Sequence, residues 1–130
     1  RGLGDVYKRQ GLRSVLLSPQ SEDNGKLLEN AVYLHLRRNL TAEAGLHYYK
    51  NKKECDFVLT SHGEVTQLLQ VTYSLHDEET RTRELEGILE AALATNCRNL
   101  SILTFEEEEE IEKDGYSIRV LPAWKWMLTE

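Results

Sequence analysis

From Asn24 onward, apolar positions recur at helical spacing: Leu28, Val32 and Leu36 stand four apart, and Leu27, Ala31 and Leu34 widen the stripe. This spacing predicts a first helix over 25–38, with Arg37 and Arg38 suited to its C-terminal end. On the helical wheel Glu29 falls between Leu36 and Tyr33, at the edge of the apolar arc, so its carboxylate is expected to face the fold.

The period then shortens. Leu46–Lys50, Glu54–Thr60 and Val65–Tyr73 read as strands, and Ser61-His62-Gly63-Glu64 supplies the turn residues of a hairpin between the last two. Strict alternation puts Cys55, Phe57 and Leu59 on one face and Asp56, Val58 and Thr60 on the other. In the third strand Leu68, Gln70 and Thr72 share a face, so both strands carry polar side chains on otherwise apolar surfaces.

A second helix is expected over 78–94, with Asp77, Glu78 and Glu79 favourable at its N-terminus and Leu85, Ile88, Leu89 and Ala92 as its apolar stripe. Gly87 weakens it. Leu100–Phe105 reads as a buried strand, Asp114-Gly115 as a turn and Ser117–Leu121 as a final strand. Pro122 opens a short helix with Trp124, Met127 and Leu128 on one side. Between them, Glu106–Glu110 is a low-complexity run that reads as a solvated strand end. The predicted order is an αβββαβ core with a C-terminal strand and short helix: an α/β domain with a mixed central sheet flanked by helices.

Length and composition narrow this picture. The 130 residues suffice for one core, and 40% hydrophobic with 29% charged residues is a globular composition. Arg1 to Gln10 show neither periodicity nor continuity with the rest of the chain, so residues 1–10 are read as a foreign leader, 11–23 as a linker and 24–130 as a single domain. With no long apolar stretch and no signal-like start, a cytoplasmic location without membrane contact is expected. Cys55 and Cys97 lack metal or disulfide spacing and read as buried free thiols. His35, His47, His62 and His76 show no ligand spacing and imply no zinc. No Gly-x-x-x-x-Gly-Lys-Ser/Thr run occurs, so ATP has no P-loop here. The net charge of −6 means that any nucleic acid must be met by a local basic patch. Arg37, Arg38, Lys50, Lys52, Lys53, Arg81 and Arg83 would supply one if their elements converge; otherwise they are solvated helix-end and turn charges.

Three segments carry a resemblance: Gly25-Lys-Leu-Leu-Glu29-Asn-Ala-Val, Tyr48-Tyr-Lys-Asn-Lys-Lys-Glu-Cys-Asp56-Phe-Val-Leu and Leu69-Gln70-Val-Thr72-Tyr. Together they resemble the C-terminal domain of unknown function of prokaryotic AAA-type ATPases, which is similar to the PD-(D/E)XK nuclease superfamily. The resemblance implies a restriction-endonuclease-like fold and an upstream ATPase domain as partner, where ATP would bind, with DNA as a further partner. In active members a strand Asp and an acid-x-Lys on the next strand surround a divalent cation, often assisted by a helix Glu. The acid holds Mg²⁺ and the ammonium steadies charge on the phosphate. By this correspondence Asp56 is the metal-binding Asp and Glu29 the helix acid.

Here the sequence departs from the pattern, because Gln70 stands at the acid's position and Thr72 at the lysine's. A neutral amide leaves Asp56 as the main ligand, with Gln70 a weak second, and threonine carries no positive charge. The expectation is therefore a catalytically degenerate accessory domain acting by nucleic-acid or protein contact, with at most weak Mg²⁺ binding. Two alternatives stand beside it: an active Mg²⁺-dependent DNA endonuclease with Lys53 as a displaced lysine, and a protein-interaction domain docking on the ATPase module through its tryptophan-bearing terminus. Without a second strand carboxylate, Asp56 itself reads first as a buried acid satisfied by backbone or a nearby lysine.

Overall fold

A computed structural model describes residues 21–129. The leader expected over 1–10, and most of the linker expected over 11–23, lie outside the described residues. The elements in chain order are α1 (Ser21–Arg38), β1 (Ala44–Lys50), β2 (Glu54–Ser61), β3 (Glu64–Val71), α2 (Glu78–Thr95), β4 (Leu100–Thr104), β5 (Glu109–Lys113), β6 (Tyr116–Pro122) and α3 (Ala123–Thr129). The strands form one mixed six-stranded sheet in the order β1-β2-β3-β4-β6-β5.

Local chemistry explains the connections. β1, β2 and β3 form an antiparallel meander, and the β2–β3 hairpin turns at His62 and Gly63, both at positive φ (53° and 80°) as a two-residue turn of matching twist requires. α2 then carries the chain across one face so that β4 pairs parallel to β3. Asp77 caps α2 by accepting from the Thr80 N–H, and Asn96 closes it in the left-handed region, its N–H reaching the Ala92 carbonyl. β6 is parallel to β4 and antiparallel to β5, which it reaches through a second positive-φ turn at Asp114 and Gly115.

Two apolar cores lie on opposite faces of the sheet. On one, Leu85, Ile88, Ala91 and Ala92 of α2 cover Cys55, Leu68, Ile102 and Ile118. On the other, Leu28, Val32 and Leu36 of α1 meet Phe57, Leu69 and Leu103, together with Ala123, Trp126 and Met127 of α3. Both cysteines are buried free thiols, as their spacing predicts.

Several expectations are corrected. The first helix starts at Ser21, ahead of the expected 25, β1 starts at Ala44, and β3 ends at Val71, so Thr72 lies just past the strand. Part of the Glu106–Glu110 run enters a strand missed in the sequence, β5, whose only buried residue is Ile111. One apolar position in five leaves no alternation to read. In α3 the fully buried tryptophan is Trp126, and Pro122 ends β6.

The largest correction concerns β2. Its pairing with β1 slips between His47↔Val58 and Tyr49↔Cys55, so Asp56 and Phe57 together face one β1 residue, Tyr48. This β-bulge breaks the alternation: Cys55 and Val58 join the α2-side core while Phe57 joins the α1-side core. Cys55 therefore does not share its face with Phe57 as strict alternation requires, and Asp56 sits at the irregularity between them.

Candidate functional site

The β2–β3 ladder runs only as far as Phe57↔Leu69, and beyond that pair side chains take over the bonding. The Asp56 carboxylate (Oδ2) accepts from the Val71 N–H at 2.8 Å, and the Asp56 N–H donates to Gln70 Oε1 at 2.8 Å. Gln70 Nε2 donates to the carbonyls of Glu54 (2.9 Å) and Glu84 (3.1 Å). Gln70 is 2% exposed, and these bonds occupy its carbonyl oxygen and its amide group with protein partners. Because the Asp56 N–H can only donate, the orientation of the Gln70 amide is fixed.

The parting strands open a groove. A hollow of about 700 Å³ is lined by Lys26 and Glu29 of α1, Asp56 of β2, Thr72 to Ser74 past β3, and Asp77, Thr80, Arg83 and Glu84 at the start of α2. Asp56, Arg83 and Glu84 also line an adjoining hollow of about 360 Å³, bounded by Lys52, Lys53, Glu54 and Gln70. Glu29, Asp56 and Thr72 thus meet around the larger hollow, while Gln70 faces the smaller one from across Asp56.

The electrostatics of the groove are those of partly desolvated acids. Burial above all, opposed by the Val71 N–H and assisted by the Glu29, Glu84 and Glu54 carboxylates, raises the Asp56 carboxyl to about 7. Glu84 is raised by burial, with Arg83 acting against the shift and Glu29 and Glu54 adding to it. Burial raises Glu29 as well. A carboxyl near 7 is divided between its neutral and charged forms at neutral pH.

The implied Mg²⁺ can be tested against this donor set. Among the described residues, no group of three or more His, Cys, Asp and Glu side chains is placed to hold a metal ion. The amide that would replace the missing acid is spent on backbone groups, so the residues present do not fit a magnesium cage.

The basic residues gather only in part. Lys53 Nζ pairs with Glu86 at 2.9 Å, and its backbone N–H donates to Glu90 Oε2 at 3.1 Å. Arg81 is bound in a fork by Glu109, through bonds of 2.9 and 3.1 Å. Arg37 and Arg38 stand exposed in the last turn of α1 and Lys50 ends β1, none of them lining either hollow. Lys52, Lys53 and Arg83 do reach the smaller hollow, and Arg83 reaches Glu84 at 3.4 Å.

Sequence reasoning missed three residues. Glu84 sits four before the buried Ile88, on the flank of the α2 stripe, a position like that which marked out Glu29. Lys26, three before Glu29, lines the groove from the same helix. Glu107 lies in the acidic run, yet it accepts from Ser74 Oγ and from the Leu75 N–H (2.8 Å) and pairs with His76 Nε2 at 3.2 Å, tying down the groove's lip. No local signal marks it out among its neighbouring glutamates.

Comparison with known proteins finds relatives of the chain. The model of a family described as a domain of unknown function, DUF4143, matches residues 24–126. An uncharacterized protein of Methanocaldococcus jannaschii, MJ1544, is 38% identical over 132 residues, an alignment covering 95% of this chain and 29% of that protein. The chain therefore spans less than a third of that relative's length.

Proposed function

The chain belongs to the DUF4143 family, and from that premise we propose that it is a catalytically silent PD-(D/E)XK-like accessory domain of a larger ATP-binding protein of the AAA type, acting by contact with nucleic acid. The fold reading rests on the αβββαβ order, with β4 parallel to β3 across the α2 crossover and an acid at the point where β2 and β3 part. The superfamily resemblance of the Glu29, Asp56 and Gln70–Thr72 segments supports the same reading.

One observation carries the loss of catalysis: the Gln70 amide is bonded to Asp56 N–H, Glu54 O and Glu84 O. It serves as a structural tie where the chemistry of the superfamily needs a charged oxygen turned toward the cation. Thr72 offers no ammonium, and Lys53, the displaced-lysine candidate, is held by Glu86. Trp126, buried against α1, is part of the domain's own core, which counts against a tryptophan-bearing docking terminus.

Contact with phosphates would fall to Lys26, Lys52 and Arg83 around the groove. Titration with Mg²⁺ by calorimetry, beside plasmid nicking and DNA-binding anisotropy, tests the proposal. The expected result is neither heat nor nicks, with DNA binding that weakens steeply with salt. Tight Mg²⁺ binding abolished in Asp56→Ala, together with cleavage, would overturn it.

A further inference from the structure

Among the described residues, α1 presents a second face that no other element covers. Leu27 is 43% and Leu34 46% exposed, seven residues apart and so on one side of the helix, with half-buried Ala31 between them. Two further exposed residues extend the same stripe by one turn at each end: Asp23, four before Leu27, and Arg38, four after Leu34. In order along the helix the face reads acid, leucine, a short pair at Asn30 and Ala31, leucine, base.

That order is self-complementary when reversed. The geometry points to an isologous dimer in which α1 packs antiparallel against α1 of a second copy of this chain. About a two-fold axis between Asn30 and Ala31, Leu27 faces Leu34 of the second copy, and Asp23 faces its Arg38, each pairing occurring twice. The two leucines lie about 10.5 Å apart along the axis in both copies, so they interdigitate without a change of register. Asn30 and Ala31 at the centre are small enough for the helices to approach to roughly 8–10 Å.

Charge decides the direction. A parallel pairing would also match leucine with leucine, but it would set Asp23 against Asp23 and Arg38 against Arg38. The antiparallel one turns both into opposite-charge pairs and opposes the two helix dipoles. The leucines supply most of the attraction, since exposed ion pairs contribute little and act chiefly on register. The face lies across the sheet from α2 and does not include Glu29, so this association is independent of the groove's role.

Sedimentation equilibrium on the 130-residue chain tests it. A dimer is expected that Leu27→Asp with Leu34→Asp converts to monomer while the circular dichroism spectrum is retained. Asp23→Arg alone and Arg38→Asp alone should each weaken the dimer, by about tenfold, and the two together should restore it. A wild type that stays monomeric at every concentration, as when another segment of the chain covers the stripe, overturns the inference. So does a dimer indifferent to the leucine changes, or a charge swap whose two halves simply add.

Discussion

Asp56 and Gln70 hold each other where β2 and β3 part: the Asp56 N–H donates to Gln70 Oε1 at 2.8 Å, and the Asp56 carboxylate bonds the N–H of Val71, next to Gln70. Beyond Phe57↔Leu69 these two side chains do what backbone carbonyls and amides do along the rest of the ladder. A groove can open between the strands without leaving buried backbone groups unsatisfied.

Placing an acid at position 70, as the proposed nuclease-like reading would require for activity, should therefore damage the fold and give no activity. In Gln70→Glu a carboxylate oxygen replaces the donor that serves the Glu54 and Glu84 carbonyls. The expected cost is about 2–4 kcal/mol of stability, from a buried charge facing two acceptors. Urea denaturation measures the loss, and calorimetry should still show no tight Mg²⁺ site. Mg²⁺-dependent DNA cleavage by this variant would refute the structural role given to Gln70.

Gly87 allows α2 to lie directly over this tie. A Cβ there would sit 2.1 Å from the Glu54 carbonyl oxygen and 2.7 Å from Gln70 Nε2. Since the first neighbour is backbone, Gly87→Ala must push the helix off β2, at about 1–3 kcal/mol despite alanine's better helix propensity. A Tm rise in Gly87→Ala would contradict the close approach.

The raised Asp56 carboxyl makes part of the stability pH-dependent. Its folded value near 7 lies above the ordinary 3.8, so the folded state holds a proton that the unfolded state has released between those limits. This contribution is complete below about pH 4 and falls as pH rises to 7, by up to about 1.4 kcal/mol per pH unit. Asp56→Asn mimics the protonated acid and keeps an oxygen for the Val71 N–H. Relative to wild type, it should gain stability as pH rises from 4 to 7 in parallel denaturation series. A constant difference would show that Asp56 titrates normally.

Glu107→Ala should loosen the groove's lip selectively. The variant loses the bonds to Ser74 Oγ, the Leu75 N–H and His76 while removing no side chain from either core. Expected is a global loss of about 1–3 kcal/mol, with hydrogen exchange at residues 73–76 accelerated more than in β4 or α2. Uniform acceleration would mean that the carboxylate supports the whole fold.

Much of the fold was legible because helical and strand periods are local. Leu28, Val32 and Leu36, and later Leu85, Ile88 and Ala92, located α1 and α2, and the turns at His62-Gly63 and Asp114-Gly115 were marked by residues that tolerate positive φ. β5 was hidden because an edge strand with one buried residue, Ile111, has no period to show. The site positions were legible only in part: Glu29, Asp56 and Thr72 line one hollow, whereas Gln70, expected to share it with Asp56 and Thr72, lines the adjoining one. Glu84 joined them only because the α2 crossover brings its first turns over the end of β2, a long-range arrangement that no spacing within the helix encodes.

The amino-acid order by itself determined where the elements lie, which stripe of each is apolar, and that position 70 bears an amide and position 72 a hydroxyl. Where those groups point was decided in three dimensions. A bulge exists only when two residues of one strand meet one of its neighbour, so β1 pairing took Asp56 out of the alternation and set it at the edge of both hollows. The approach of α2 over Gly87 brought the Glu84 carbonyl within reach of the Gln70 amide. Local sequence sets what a side chain can bond, and the packing of distant elements sets which partner comes within reach.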